Sequence, residues 1–101
     1  MRTDSTMHIT FTDERPKYDG GDLALYFTAL VDGEPVVCSI SVEALEDHFG
    51  AQSPREEDLM TAFDKGAARI RAVCAEVLDD NGGEAVVLRS GLFRVAGMEP
   101  E

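Results

Sequence analysis

Two cysteines and two histidines are the residues of this 101-residue chain best suited to nucleophilic or metal chemistry. Cys38 and Cys74 form no CxxC pair, and His8 and His48 belong to no HxH or HExxH spacing. A reactive thiol requires an electropositive, partly exposed site. Cys38 instead falls on the apolar side of a predicted strand, and Cys74 falls on the apolar stripe of a predicted helix. We therefore interpret both as reduced core residues.

The remaining motifs give no catalytic constellation. His48 lies in the last turn of a predicted short helix, where the exposed carbonyls favour a partly cationic ring, and this structural role explains it without a ligand. No serine has a GxSxG context, and the glycine pairs lack the spacing of a phosphate loop. We predict no catalytic residue, no cofactor and no metal. A site that forms only in three dimensions, around Tyr26, Cys38 and His48, is an open alternative.

The charge is strongly acidic, with 9 basic and 20 acidic residues and a formal net charge of −11. Phosphate backbones repel such a surface, so direct nucleic-acid binding and binding to anionic membranes are disfavoured. No basic residue stands between Lys17 and Arg55, a segment with seven acids. A solvated face that keeps the protein soluble explains this segment. A mimic of nucleic acid that binds a basic protein is an alternative interpretation.

The clearest local pattern is a hairpin between Leu23 and Ile40. An apolar, aromatic run reaches Asp32-Gly33, a dipeptide that favours a type I′ turn because both positions tolerate positive φ. A two-residue turn here predicts that Ala29 faces Val36, Phe27 faces Cys38 and Leu25 faces Ile40. These pairs place one apolar set on one sheet face. The opposite face is mixed.

Two helices are predicted after the hairpin. Ser41 caps a short helix, 42–49, which Gly50 ends. Ser53-Pro54-Arg55-Glu56 has the pattern of a capped helix start, and apolar residues then recur at steps of three and four to about Asp80. We expect one long helix that continues through Gly66. Its outward side carries Ala68, Ala72 and Ala75, which would let another helix approach closely.

The rest of the chain completes an α+β domain. Residues 8–11 are expected to form a strand, 12–22 a loop, and 84–89 an internal strand that 90–95 extends. The predicted fold is a small, mainly antiparallel sheet of three or four strands, in the order β-β-β-α-α-β. The short and the long helix pack on one face of this sheet. We predict a flexible N-terminus over 1–7, one α+β domain over 8–95 and a polar tail over 96–101.

The expected location is the cytoplasm. No apolar run approaches the roughly 20 residues that cross a bilayer. The first twelve residues lack a basic start followed by an apolar stretch, so no signal peptide is predicted.

Several segments resemble a small bacterial family called domain of unknown function 1488. They are Tyr18, the run 27–33, Cys38-Ser39-Ile40-Ser41, the run 43–50, Ala62-Phe63, Arg69-Ile70 and Val87-Leu88-Arg89. The resemblance implies a compact α+β fold with a small antiparallel sheet and helices. It implies no activity, cofactor or catalytic residue, because the family is uncharacterised.

The function expected from these features is a non-enzymatic accessory or protein-interaction domain that associates with itself. The predicted interface is the alanine side of the long helix, Ala68, Ala72 and Ala75. Lys65 and Arg69 flank that side and are expected to meet the acidic segment of a second subunit, unless an unknown protein partner binds there. The alternatives are a small-molecule binder or enzyme with a site near Tyr26, Cys38 and His48, and the acidic mimic.

Overall fold

The computed structural model describes residues 8–12 and 14–95. Its elements, in chain order, are β1 (Ile9–Phe11), β2 (Lys17–Asp19), β3 (Ala24–Val31), β4 (Glu34–Ser41), α1 (Val42–His48), α2 (Glu56–Asp80), β5 (Val87–Leu88) and α3 (Ser90–Val95). The fold is α+β, as the sequence predicts. The ends 1–7 and 96–101 lie outside the described residues, so the division of the chain into a tail, one domain and a second tail stays a prediction.

The β3–β4 hairpin has the predicted register. Leu25 pairs with Ile40, Phe27 with Cys38 and Ala29 with Val36. The turn residues Asp32 and Gly33 both have positive φ, 53° and 88°, as a type I′ turn requires. The local alternation of apolar residues and the turn dipeptide therefore determine the centre of the sheet.

The sheet has one strand more than predicted. β1 and β2 both pair antiparallel with β3, at its two ends, and β5 pairs parallel with β4. The strand order is β1-β3-β4-β5, with β2 beside β3. The prediction of a loop over 12–22 was wrong for β2, which forms because Tyr18 pairs with Leu25 and packs against the core.

Helix α1 begins as predicted and ends at His48, one residue before the predicted end. The hydroxyl of Ser41 accepts a hydrogen bond from the backbone N–H of Ala44 at 3.0 Å, and Gly50 has a φ of 77°. Helix α2 instead begins at Glu56, two residues after the predicted start. The Ser53 hydroxyl, expected to cap it, accepts from the N–H of Arg55 and donates to Asp58 at 2.6 Å.

Helix α2 is continuous through Gly66. A Cβ built on Gly66 would lie 2.2 Å from Cδ1 of Phe49. Glycine therefore allows the Phe49 ring, just after α1, to lie directly against the backbone of α2. Close packing explains this glycine in spite of its low helix propensity.

The core lies between α2 and one face of the sheet. The apolar side of α2 buries Leu59, Ile70 and Leu78, all 0% exposed. From the sheet, Phe27 lies 5.4 Å from Phe63, measured between ring centroids. The helices thus cover the face that carries Leu25, Phe27 and Ile40.

The segment after α2 differs most from the prediction. The strand expected over 84–89 is reduced to β5, and it lies at the sheet edge rather than inside the sheet, with Val87 54% exposed. Residues 90–95 form α3 instead of an extension of the strand. Phe93 explains the helix, because it is 0% exposed and contacts Phe49 edge-on at 5.2 Å.

Candidate functional site

The second face of the sheet, called the outer face from here on, is not covered by the helices. The register places every second residue of each strand there. Across the sheet, Lys17, Tyr26, Ser39 and Val87 form one row, Thr28 and Val37 a second, and Thr10, Leu30 and Pro35 a third. The pairs Tyr26–Ser39 and Thr28–Val37 were predicted as a mixed face.

Large apolar side chains are exposed on this outer face. Val37 is 55% exposed and Val87 is 54% exposed. Leu30 and Pro35, next to Val37 toward the hairpin turn, are paired with each other. Strand residues on the outer face include one carboxylate, Asp19, and one ammonium, Lys17. The outer face is therefore mixed in polarity, with an apolar patch near the hairpin turn, and its strands are nearly neutral on a chain with a net charge of −11.

A groove of about 270 Å³ lies at the end of the outer face nearest α1. It is lined by Asp22, Ala24, Tyr26, Ser39, Ser41, Val87 and Arg89. Ser39 is 4% exposed and comes from the central strand β4, so it lies at the floor of the groove. Sequence reasoning missed Ser39, Val87 and Arg89 as neighbours, because the parallel pairing of β5 with β4 joins segments that are distant in the chain.

Tyr26 and Asp22 interact directly at this groove. The Tyr26 hydroxyl donates a hydrogen bond to Oδ2 of Asp22 at 2.5 Å. This bond is the largest cause that raises the pKa of Tyr26 above its ordinary value, with smaller contributions from burial and the neighbouring negative charges. Because its proton is committed to Asp22, the phenol oxygen of Tyr26 is left to act as an acceptor.

The two cysteines contact each other in the core. Cys38 on β4 and Cys74 on α2 are 1% and 0% exposed. The Cys38 sulfur, hydrogen-bonded to the Cys74 thiol, is the main cause that raises the pKa of Cys74, and burial adds to it. That same bond lowers the pKa of Cys38 to about 7, against the opposing effect of burial. A thiol this inaccessible is a poor nucleophile whatever its pKa.

His48 belongs to a polar cluster that joins α1 to α3. The Ser90 hydroxyl donates to Oδ2 of Asp47 at 2.6 Å. Nε2 of His48 lies 3.2 Å from that hydroxyl and 3.1 Å from the Ser90 carbonyl oxygen. These residue types suggest a triad, but a triad requires the histidine between the acid and the serine. Here the serine bonds the acid directly and is 5% exposed, so the cluster holds α3 against α1.

The structure does not bring Tyr26, Cys38 and His48 together. Tyr26 lies on the outer face and Cys38 on the core face of the sheet. His48 packs against Phe93 with a centroid separation of 5.6 Å. A site that uses all three residues is not formed in this arrangement.

The alanine side of α2 is at the surface, with Ala68 and Ala72 exposed and Ala75 half-buried. Lys65 is exposed as well. Arg69 is turned toward aromatic rings, with Cζ 5.3 Å from the centroid of Phe49 and 5.6 Å from that of Phe93. Its Nε and Nη2 are buried and have no hydrogen-bond partner among the described residues. Arg69 therefore stabilises the junction of the helices rather than extending over the alanine side.

Within 8–12 and 14–95, no group of three or more His, Cys, Asp or Glu side chains is placed to hold a metal ion. In the same part of the chain, no helix has both the length and the hydropathy needed to span a membrane.

A mixed sheet with helices on one face and a bare second face defines a small α+β domain. The chain belongs to the family described as protein of unknown function DUF1488, whose model matches residues 9–88. Its fold is similar to a crystal structure of a protein of unknown function from the DUF1488 family of Shewanella loihica PV-4. The TM-score is 0.70 and the identity 22%, over 80% of this chain and 92% of that chain. No curated protein matches.

Proposed function

We propose that this domain is a non-enzymatic protein-interaction domain of the bacterial cytoplasm, which associates with a second copy of itself through the outer face of the sheet. The observation that supports the proposal is the exposure of Val37, beside Leu30 and Pro35, on a face that the helices leave uncovered. Exposed apolar patches on small soluble domains are typical of interaction surfaces.

The distribution of charge favours a second copy as the partner. Two copies of a chain with a net charge of −11 repel each other. The repulsion is smallest where the surface carries little net charge, and the strands of the outer face carry one acid and one base, Asp19 and Lys17.

The geometry of the face suits this association. Two sheets pack face to face at about 10 Å when apolar side chains interdigitate between them. Leu30, Pro35 and Val37 form such a patch near the hairpin turn. Thr28, half-buried beside Val37, supplies a small hydroxyl at its border.

The alanine side of α2 is the competing interface. On the helix, Glu57, Asp64 and Asp79 lie in line with Ala68 and Ala72, at steps of four and seven residues. Two such sides in contact would place like charges together. The outer face of the sheet is therefore the better supported surface.

The test compares one change on each surface. Val37→Lys places a charge in the apolar patch, and Ala72→Lys places the same charge on the alanine side of α2. In sedimentation velocity over a range of concentrations, we expect Val37→Lys to raise the dimer dissociation constant at least about tenfold, which is about 1.4 kcal/mol. Ala72→Lys should leave it unchanged. Val37→Thr, which keeps the branched shape, should give a smaller effect.

Each outcome is decisive. A dimer that is weakened by Ala72→Lys and not by Val37→Lys would move the interface to the helix and contradict the sheet interface. Wild-type protein that sediments as a monomer at every concentration would overturn self-association. Circular dichroism of each variant would verify that the fold is retained.

The two alternative functions lack a specific observation in their favour. The binder or enzyme with a site at Tyr26, Cys38 and His48 requires residues that lie apart. The acidic mimic requires a continuous row of acids, but Asp32 and Glu34 lie at the hairpin turn and Glu43 in α1, at the opposite end of β4.

A further inference from the structure

The groove at the α1 end of the outer face carries opposite charges over a polar floor. Arg89 is the one basic residue among those that line it, and Asp22 is the one acid. Asp22 is engaged with the Tyr26 hydroxyl, whereas the guanidinium of Arg89 offers a planar, bidentate partner for a carboxylate.

The hydroxyl groups of the groove determine which hydrogen-bonding group the ligand needs. The Ser41 hydroxyl is occupied as the cap of α1, and the proton of Tyr26 is directed to Asp22. The phenol oxygen of Tyr26 and the carboxylate of Asp22 therefore favour a hydrogen-bond donor on the ligand. The hydroxyl of Ser39 at the floor donates or accepts as the ligand demands.

The size and the apolar walls restrict the ligand further. A volume of about 270 Å³ is small for a ligand pocket. Ala24 and Val87 supply the apolar surface, and Ala24 is 6% exposed. These walls fit a short aliphatic chain rather than a ring system or a nucleotide.

We propose that this groove binds a short aliphatic carboxylate with a hydrogen-bond donor on the adjacent carbon, the chemistry shared by small amino acids and 2-hydroxy acids. Arg89 binds the carboxylate, Tyr26 and Asp22 accept from the donor, and Val87 contacts the aliphatic chain. The proposal goes beyond self-association and uses the other end of the outer face from Leu30, Pro35 and Val37.

The test is an NMR titration of the full chain, followed through the backbone amides of Ser39, Val87 and Arg89. The probes are L-valine, 2-hydroxyisovalerate and isovalerate, which differ in the group next to the carboxylate. We expect saturable shifts with the first two and at least about tenfold weaker binding of isovalerate, because the acceptors of the groove then lack a donor. Valine against 2-hydroxyisovalerate identifies which donor the groove prefers.

Two arginine variants control the titration. Arg89→Gln should weaken binding at least about tenfold by removing the charge-assisted pair. Arg55→Gln, at the start of α2 and outside the groove, should leave binding unchanged. The same titration of Val37→Lys keeps this test independent of self-association, because the change lies outside the groove.

Three results would overturn the proposal. They are the absence of saturable shifts with valine and 2-hydroxyisovalerate in both the wild type and Val37→Lys, equal binding of isovalerate, and undiminished binding in a folded Arg89→Gln variant. Saturable binding that depends on Arg89 and on the donor supports it, whether or not the protein forms a dimer.

Discussion

The ionisation of Tyr26 tests the groove, because the Tyr26 hydroxyl donates a hydrogen bond to the carboxylate of Asp22 there. The hydrogen bond raises the pKa of Tyr26 above 10.0. A raised folded-state pKa means that the bond stabilises the fold below the ordinary value and that this contribution is lost as the pH rises through the folded-state pKa. The chain has two tyrosines, so Tyr18→Phe leaves Tyr26 as the one phenol that titrates.

In the Tyr18→Phe background, Asp22→Asn should lower the pKa of Tyr26, because the acceptor loses its charge. Ultraviolet absorbance of the phenolate during an alkaline titration measures the change. Glu43→Gln, an exposed acid on α1, is the control and should leave the midpoint in place. Equal midpoints with and without Asp22→Asn would show that the hydrogen bond is absent in solution.

The thiols of Cys38 and Cys74 provide a second residue-scale test. Both side chains are at most 1% exposed, so modification requires local opening of the fold. We expect a thiol reagent near pH 7 to react at least about a hundredfold more slowly with the native protein than with the urea-unfolded protein. Glu46→Cys, at an exposed position of α1, should react quickly and serves as the positive control. Rapid labelling of Cys38 in the native state would instead favour a catalytic or binding role for that thiol.

At the scale of elements, the close packing of α1 and Phe49 against α2 depends on Gly66. Alanine is the better helix former by about 1 kcal/mol, but its methyl group would overlap the Phe49 ring. We expect Gly66→Ala to destabilise the protein by about 1–3 kcal/mol, because overpacking outweighs propensity. Urea unfolding measures the difference.

A matched glycine makes the result specific. Gly91 in α3 has nothing within 4 Å of its built Cβ, so Gly91→Ala should be neutral or slightly stabilising. If Gly66→Ala were as stable as Gly91→Ala, the contact between Phe49 and the α2 backbone would not exist as described.

The elements also show what sequence can predict. The β3–β4 hairpin was predictable because Asp32-Gly33 sets the turn and the alternation of apolar residues sets the register. The predicted hairpin also placed the outer-face residues of β3 and β4 correctly, including Tyr26, Ser39 and Val37. Strand β2 was not predictable, because three residues are too short to show periodicity. A strand was predicted where β5 lies, but as a longer, internal one, and its two-residue length and edge position were not predictable. The groove depends on β5, and the parallel pairing of β5 with β4 joins residues that are distant in the chain, which no local pattern shows.

Helix α3 illustrates the same limit. Residues 90–95 carry apolar side chains that suit a strand or a helix. The choice is made by contacts with distant residues, since Phe93 packs on Phe49 and Ser90 bonds Asp47. We expect Ser90→Ala to destabilise the protein by about 1–3 kcal/mol, because Asp47 loses the hydroxyl that donates to it. Urea unfolding measures the change. Ser53→Ala, which alters a half-buried serine that bonds Asp58 next to α2, is the comparison variant. An unchanged stability of Ser90→Ala would show that the cluster does not hold α3.

At the scale of the whole molecule, charge and exposed apolar area act in opposite directions. The net charge of −11 keeps copies apart, whereas the outer face offers apolar surface with little net charge. We therefore expect association to strengthen with added salt, since screening weakens the repulsion between copies. An interface built on salt bridges would weaken instead, and sedimentation at low and high salt separates the two cases.

Native mass spectrometry of the wild-type protein at low and high concentration tests the central claim most directly. The account predicts a species of twice 11.0 kDa whose share grows with concentration. It also predicts that Val37→Lys reduces that share while Ala72→Lys does not. A single species of 11.0 kDa at every concentration would contradict self-association through the outer face.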